Sequence, residues 1–165
     1  MLPELQWRKR PFEIRNLLNP AFCAVLLHQS VKEYYKKSKK GMPYPLIFLV
    51  LPIVFPSNIR HSLPERVDRD FDAWTKEKSL ELLKFDEIVG FLAPYTKEAI
   101  IFAIQFGYLE IRNGALLPQK SLHPTKIWNN KSEAMSCYKQ AGFVGRWFAH
   151  TGSSAIIFRN LGIRP

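Results

Sequence analysis

The side chains of this sequence that can do chemistry stand apart from one another. No two of its histidines have the HxxxH or HExxH spacing that places two metal ligands on one helix face. The histidines are His28, His61, His123 and His150. The phosphate-binding patterns GxxxxGK[ST] and GxGxxG and the nucleophile pattern GxSxG are missing from the sequence. The sequence therefore predicts a protein that is not an enzyme and that binds no metal or cofactor.

Two other groups of reactive residues have structural explanations. Asp68, Asp70 and Asp72 alternate as in a calcium-binding loop, but the glycine and the closing glutamate of such a loop are missing. We interpret them as the acidic start of a helix. Cys23 and Cys137 both fall in predicted helices, and we expect reduced, buried thiols in preference to an oxidised pair.

The charge is distributed as basic, acidic and basic thirds. Residues 1–64 carry ten basic and three acidic side chains, residues 65–110 six and ten, and residues 111–165 eight and one. A basic balance is typical of proteins that bind nucleic acid, and equally of a soluble basic surface or one matched to an acidic subunit. The candidate phosphate or DNA contacts are Lys36, Lys37, Lys39 and Lys40.

The length of 165 residues fits one domain with an appended arm. We predict an N-terminal arm over residues 1–18, with Trp7 and Phe12 as candidate anchors, and a single mostly helical domain over 19–165. The apolar run 46–55 is much shorter than the roughly 20 residues needed to span a bilayer. Since no secretory signal pattern is visible either, we expect a cytoplasmic protein without membrane contact.

The core is predicted to form around two adjacent apolar segments. Asn19 is a good N-cap and Pro20 suits the first helical position, so a helix is expected from about Pro20 to Lys39, closed by Gly41 in a left-handed conformation. The run 46–55 is compatible with a buried strand or a buried helix, and Pro52 favours the helix.

The middle of the chain has the element order of a winged helix-turn-helix. A helix is expected to start near Pro64, followed by helices over 79–92, stopped by Pro94, and over 97–106, capped by Thr96. Asn-Gly between two apolar runs then predicts a β-hairpin over 108–118. The predicted fold class is α+β and mostly helical, with a winged-helix-like region over 79–118 between N- and C-terminal helices.

The helix that would enter a DNA groove is poorly suited to that role. Between its ends, the segment 97–106 offers only Gln105 to read a base, and the surrounding third of the chain is acidic. Its composition favours burial or a protein interface.

The C-terminal helices are expected over 132–161, the first capped by Ser132. Ala141, Gly145 and Ala149 form a stripe with little side-chain bulk, so a helix of this chain or of a partner can approach closely there; alternatively the helix breaks at Gly142. The candidate partner-interface residues are Gly145, Arg146, Trp147 and Phe148. The alternative for Trp147 and Phe148 is a place in the core.

Five segments together resemble a known family, and they recur in order along nearly the whole chain. They are Asn19-Pro-Ala-Phe22, Leu49-Val-Leu-Pro52, Pro94-Tyr-Thr-Lys-Glu-Ala-Ile-Ile-Phe-Ala103, Gly145-Arg-Trp-Phe-Ala149 and Leu161-Gly-Ile-Arg-Pro165. The sequence is similar to the middle component of three-component ABC ATPase systems, among which the Lamassu-type antiphage systems are the nearest relatives. None of the five segments is a catalytic signature.

The resemblance implies a small non-catalytic adaptor or regulatory subunit in bacterial antiviral defence. Its expected partners are an SMC-like ABC ATPase subunit and an effector subunit, often a nuclease, with DNA contact made through the complex. The alternative function is a free-standing winged-helix regulator that binds DNA.

Overall fold

The structure is a computed structural model that describes residues 18–124 and 131–164. Apart from Leu18, the predicted arm lies outside the described residues, and its boundary stays a prediction. The described chain is mostly helical with one small antiparallel sheet, which confirms the predicted α+β class.

The first helix, α1 (Pro20–Ser38), begins where its capping residues predict. The Asn19 side-chain oxygen accepts hydrogen bonds from the N–H groups of Ala21 at 2.8 Å and Phe22 at 3.2 Å. The left-handed residue that ends the helix is Lys39, with φ 61°, and not the predicted Gly41. The Lys39 N–H donates to the carbonyl of Tyr35 at 2.8 Å, so the helix is already closed two residues before the glycine.

The apolar run 46–55 is helical, as Pro52 favoured. A 3₁₀ helix spans Tyr44–Leu49, α2 spans Val50–Val54, and α3 (Ser57–Ser62) follows after Pro56. Pro52 lies in the first turn of α2, where the backbone N–H groups have no partner within the helix, so its missing N–H breaks no bond there. Every residue of α2 is buried.

The helix predicted to start near Pro64 starts later. Helix α4 spans Phe71–Glu77, and Asp70 caps it by accepting a bond from the N–H of Ala73 at 2.8 Å. Of the acidic residues expected in the early turns, only Asp70, the cap, and Asp72, in the first turn, belong to this helix.

The two helices predicted over 79–92 and 97–106 are wrong. A single helix, α5 (Phe85–Gln105), continues through Pro94, and Thr96 is buried inside it and does not cap a new one. Pro94 removes the bond to the carbonyl four residues earlier, which belongs to Gly90, and both residues are exposed. Because water can satisfy that carbonyl while the buried residues on both sides pack on one core, the helix continues.

The β-hairpin predicted after this helix is confirmed. Strands β2 (Leu109–Arg112) and β3 (Ala115–Pro118) pair antiparallel, with Arg112 opposite Ala115. Asn113 and Gly114 between them have φ of 52° and 74°, the positive values that a tight hairpin turn requires. Strand β1 (Met42–Pro43) pairs with the other edge of β3. The helix–break–helix part of the winged motif, however, is absent from the described residues.

The C-terminal helices also match the prediction. Helix α6 (Glu133–Thr151) is capped by Ser132, and α7 (Ser154–Asn160) is capped by Ser153. Helix α6 runs through Gly142 without a break, which excludes the alternative of two shorter helices. It packs along α1, and α1 packs in turn against α5, so these three helices enclose the core.

Candidate partner-binding surface

Trp147 and Phe148, two of the predicted interface anchors, are core residues. Both are fully buried, and Trp147 lies 4.7 Å from Phe71 and 5.1 Å from Trp74 between ring centroids. The indole N–H of Trp147 donates to the carbonyl of Arg69 at 2.9 Å. The sequence alternative of a place in the core is the correct one for these two side chains, and in this fold they are not accessible to a partner.

The stripe of small residues on α6 is occupied by a helix of the same chain. A Cβ atom built on Gly145 would lie 2.1 Å from the carbonyl oxygen of Ser30 in α1, and one on Gly142 would lie 3.0 Å from the Gln29 side-chain nitrogen. Gly145 is therefore a contact within the chain, and it does not offer a surface to another subunit.

Arg146 is the predicted interface residue that reaches the surface. Its side chain is 41% exposed and pairs with Glu33 of α1 at 3.2 Å. Glu33 in turn lies 3.6 Å from Lys36. Arg146 therefore has a structural role between α1 and α6, and its exposed part stays a candidate contact.

The predicted phosphate contacts lie together at the end of α1. Lys36, Lys37, Lys39 and Lys40 are all exposed. The first two stand in the last turn of the helix, where positive charge also stabilises the helix dipole. The structure brings the four lysines together, and their role in phosphate binding stays a prediction.

The two cysteines are free and buried, as expected. Burial raises the pKa of the Cys23 thiol to about 12. Burial also raises the pKa of Cys137, against an opposing effect of the nearby Arg60 guanidinium. Neither thiol has the lowered pKa and partial exposure of a nucleophilic cysteine. Within residues 18–124 and 131–164, no three His, Cys, Asp or Glu side chains group as metal ligands.

Exposed apolar side chains concentrate in one part of the described chain. Seven of the nine exposed large hydrophobic residues lie between positions 80 and 111. They are Leu80, Leu83, Phe91, Ile101, Ile104, Phe106 and Ile111. Single exposed apolar residues are normal on a protein surface, but contiguous apolar patches are typical of binding surfaces. This part of the chain is therefore the candidate for a binding surface.

Four of these residues form what we call the apolar ridge: Ile101, Ile104, Phe106 and Ile111. They are 49%, 38%, 55% and 46% exposed, respectively. The two isoleucines of α5 are three residues apart and so share a face of the helix. Ile104 and Ile111 line one shallow hollow between the end of α5 and the hairpin, and the Phe106 ring packs 4.6 Å from that of Phe102.

Polar groups border the ridge along the hairpin. Glu110 accepts hydrogen bonds from Arg112 and from Gln119, and the Lys120 ammonium group lies 3.4 Å from the carbonyl of Phe106. An apolar centre with a polar border is the usual composition of a protein–protein interface. The sequence indicates burial or an interface for 97–106. Burial is confirmed for Ala99, Ile100 and Ala103, whereas Ile101 and Ile104 face solvent and stay interface candidates. Ile111 carries no comparable signal, because alternation in a strand does not tell which face is covered.

Fold and surface together describe a small, mostly helical α+β protein with an apolar ridge at the end of α5. The comparison with known families assigns the chain to one of them. Over residues 7–165 the chain matches the ABC-three component (ABC-3C) system Middle Component 3 family, and it belongs to that family. No curated protein and no solved structure matches it significantly. None of the described helices is both long and apolar enough to cross a membrane.

Proposed function

We propose that this protein is a non-catalytic adaptor that uses the apolar ridge to bind another subunit of its ABC-three component system. Family membership supports the existence of partner subunits, and the exposure of Ile101, Ile104, Phe106 and Ile111 is the observation that carries the choice of surface. The partners we propose are an SMC-like ABC ATPase and an effector, often a nuclease, acting in bacterial antiviral defence. The resemblance to Lamassu-type systems supports this part.

The ridge suits a stable contact for a physical reason. Complete burial of a fully exposed isoleucine or phenylalanine is worth about 1.5–3 kcal/mol. The ridge side chains are already about half-buried, so the gain that remains is about half of that, ~0.7–1.5 kcal/mol each. For the same reason they lose less rotamer freedom on binding than isolated surface side chains do. Two or three such residues therefore contribute roughly 2–4 kcal/mol to association.

The adaptor proposal also fits the chemistry of the described residues. The two thiols have raised pKa values, and no metal-ligand cluster occurs in the part of the chain that the structure describes. Turnover of a substrate by the isolated chain would contradict a non-catalytic role.

The test is co-purification with the other two subunits of the system after co-expression. Ile101→Glu together with Ile104→Glu places two charges on the ridge and should reduce recovery of a partner at least about tenfold, because a buried unpaired charge costs several kcal/mol. Ile156→Glu on α7 is a matched control, since Ile156 is 39% exposed and Ile104 is 38% exposed. Full recovery of both partners with the double ridge variant would refute the proposal.

A second candidate function is contact with DNA through the lysine cluster at the end of α1. The observation that favours it is that all four lysines are exposed. The continuous α5 replaces the helix-turn-helix that a free-standing winged-helix regulator would need, so this candidate is DNA contact within the complex. Each lysine that contacts a phosphate contributes about 0.9 to the slope of log affinity against log salt. Lys37→Ala together with Lys40→Ala should therefore lower the slope of the assembled complex by about 2. An unchanged slope would exclude these lysines, and a complex that does not shift a DNA probe at low salt would exclude DNA contact.

A further inference from the structure

A second apolar concavity lies on the opposite part of α5 from the ridge, near the start of the described chain. It has a volume of about 720 Å³, and we call it the Leu18 groove. Its walls come from the beginning of α1, from the α2–α3 connection, from α5 and from the start of α6. The residues that matter here are Leu18, Phe22, Phe55, Arg60, Phe91 and Cys137.

The groove wall is largely apolar. The Phe22 and Phe55 rings stack at 6.1 Å between centroids, and Phe91 from α5 is 57% exposed. Phe91 is three turns of α5 away from Ile101, so the groove and the ridge are separate surfaces. An apolar wall of this size favours an occupant that supplies several apolar side chains.

Arg60 supplies the polar part of the groove wall and is bonded within the chain. It is 2% exposed, and one of its terminal nitrogens (Nη1) donates to the carbonyls of Val54 at 2.7 Å and Phe55 at 3.1 Å. The other terminal nitrogen (Nη2) donates to Glu133 at 2.9 Å. The Nε–H of Arg60 has no acceptor among the described residues, but it is too deeply buried for an occupant of the groove to reach it. The apolar wall therefore decides what the groove binds.

The position of Leu18 identifies a polypeptide that is available to the groove. Leu18 is only 8% exposed and forms part of the wall, and residues 1–17 are joined to it along the chain. Those residues include Phe12 and Ile14, which flank Glu13. Phe12 is six residues from Leu18 and so reaches up to about 20 Å from it, which covers the groove. Tethering also gives the segment an effective concentration on the order of millimolar, an advantage that no free peptide has.

We propose that the groove is a docking site for the chain's own N-terminal segment, with Phe12 and Ile14 as the side chains that fill it. The segment then covers Phe91 and leaves the apolar ridge as the surface open to other subunits.

Crosslinking of the full-length chain tests this directly. Glu13→Cys with Ala134→Cys is treated with a short bismaleimide, because Glu13 lies between the two filling residues and Ala134 lines the groove. Glu13→Cys with Ile156→Cys is the control, because Ile156 is exposed but outside the groove. Both pairs keep Phe12, Ile14 and Phe91 in place. The native Cys23 and Cys137 are 0% and 4% exposed and so do not compete for the reagent. The 13–134 product should exceed the 13–156 product at least about tenfold and run as a monomer, given the local concentration of a docked segment.

A second pair of variants separates docking from mere proximity along the chain. Ile14→Asp in the 13–134 background should lower the yield about tenfold, because it places a charge in an apolar wall. Gln6→Asp adds the same charge to the same segment at a position that we do not place in the groove, and it should leave the yield unchanged. Equal 13–134 and 13–156 yields, or a yield insensitive to Ile14→Asp, would overturn the proposal. A covalent dimer would overturn it too, because the groove would then hold the segment of a second copy.

Discussion

The contact between Gly145 and Ser30 gives the sharpest test of how the core is built. A Cβ atom on Gly145 would lie 2.1 Å from the Ser30 carbonyl oxygen, 2.9 Å from its carbonyl carbon and 3.1 Å from its Cα. All three neighbours are backbone atoms of α1. Since real Cβ atoms essentially never approach within 3.0 Å, Gly145→Ala requires α1 and α6 to separate by about 0.9 Å, the difference between 3.0 and 2.1 Å.

Two opposing effects set the size of the change in stability. Replacing glycine by alanine inside a helix favours folding by about 1 kcal/mol. Overpacking a tight core typically costs about 1–3 kcal/mol and occasionally more, because side chains elsewhere lose their contacts when helices move apart. Ser30 and the neighbouring face of α1 are fully buried, so no side chain there can swing into solvent to make room. Because the contacts are with backbone atoms, we expect the cost to lie at the upper end of that range, about 3 kcal/mol. After the helix gain of about 1 kcal/mol, Gly145→Ala should lower the free energy of unfolding by about 2 kcal/mol.

The chain provides two matched controls in Gly90 and Gly142. A Cβ on Gly90 of α5 meets no atom within 4 Å, so Gly90→Ala should show the helix gain alone, about 1 kcal/mol. A Cβ on Gly142 would lie 3.0 Å from the end of the flexible Gln29 side chain, so Gly142→Ala should fall between the other two. Urea unfolding followed by tryptophan fluorescence gives all three values. If Gly145→Ala were as stable as Gly90→Ala, the close packing of α1 on α6 described here would be wrong.

Three further predictions concern other parts of the fold. Pro94→Ala should raise the free energy of unfolding by about 2 kcal/mol, because it restores a helical N–H at an exposed site; an unchanged urea midpoint would contradict this reason. Burial lowers the pKa of His28 in the folded chain, although its hydrogen bond to the Lys120 carbonyl opposes this effect, so the unfolded chain binds the proton at a higher pH than the folded chain does. The free energy of unfolding should therefore have its full value above pH 6.5 and fall as the pH decreases below it. The His28→Gln variant should lack this pH dependence, and urea titrations at several pH values would test both statements. Cys23 and Cys137 should react with a thiol reagent at pH 8 only after unfolding, and rapid reaction of the native chain would show that the thiols are accessible.

The parts of the fold set by short-range signals could be predicted from the sequence. Asn19 with Pro20, Ser132 and the Asn113-Gly114 turn each satisfy backbone groups within a few residues, so they locate α1, α6 and the hairpin without knowledge of the rest. The start of α4 was harder, since several acidic residues precede it and only Asp70 is placed to cap.

The errors have a common cause, which is packing between residues distant in sequence. Pro94 stops an isolated helix, but Leu92 and Tyr95 beside it are buried in one core, and that core outweighs one lost hydrogen bond. Trp147 has the composition of an interface residue, and only the approach of Phe71 and Trp74 from α4 makes it part of the core. The spacing of residues within 132–161 cannot show that Phe71 and Trp74 pack against Trp147.

The same argument explains why the candidate surface moved from α6 to the end of α5. Both segments are apolar, and the chain has one core. The stripe at Gly145 is filled by α1 at backbone contact, which leaves no room for another helix there. The far face of α5 receives no such cover from the described residues, and Ile101 and Ile104 remain half-exposed. If a partner binds this subunit through apolar contact, the ridge is a surface that the chain's own described helices leave uncovered for it. Charges placed on the ridge should therefore weaken assembly while leaving the free energy of unfolding nearly unchanged. A ridge variant that unfolded as readily as Gly145→Ala would show that these side chains stabilise the monomer instead.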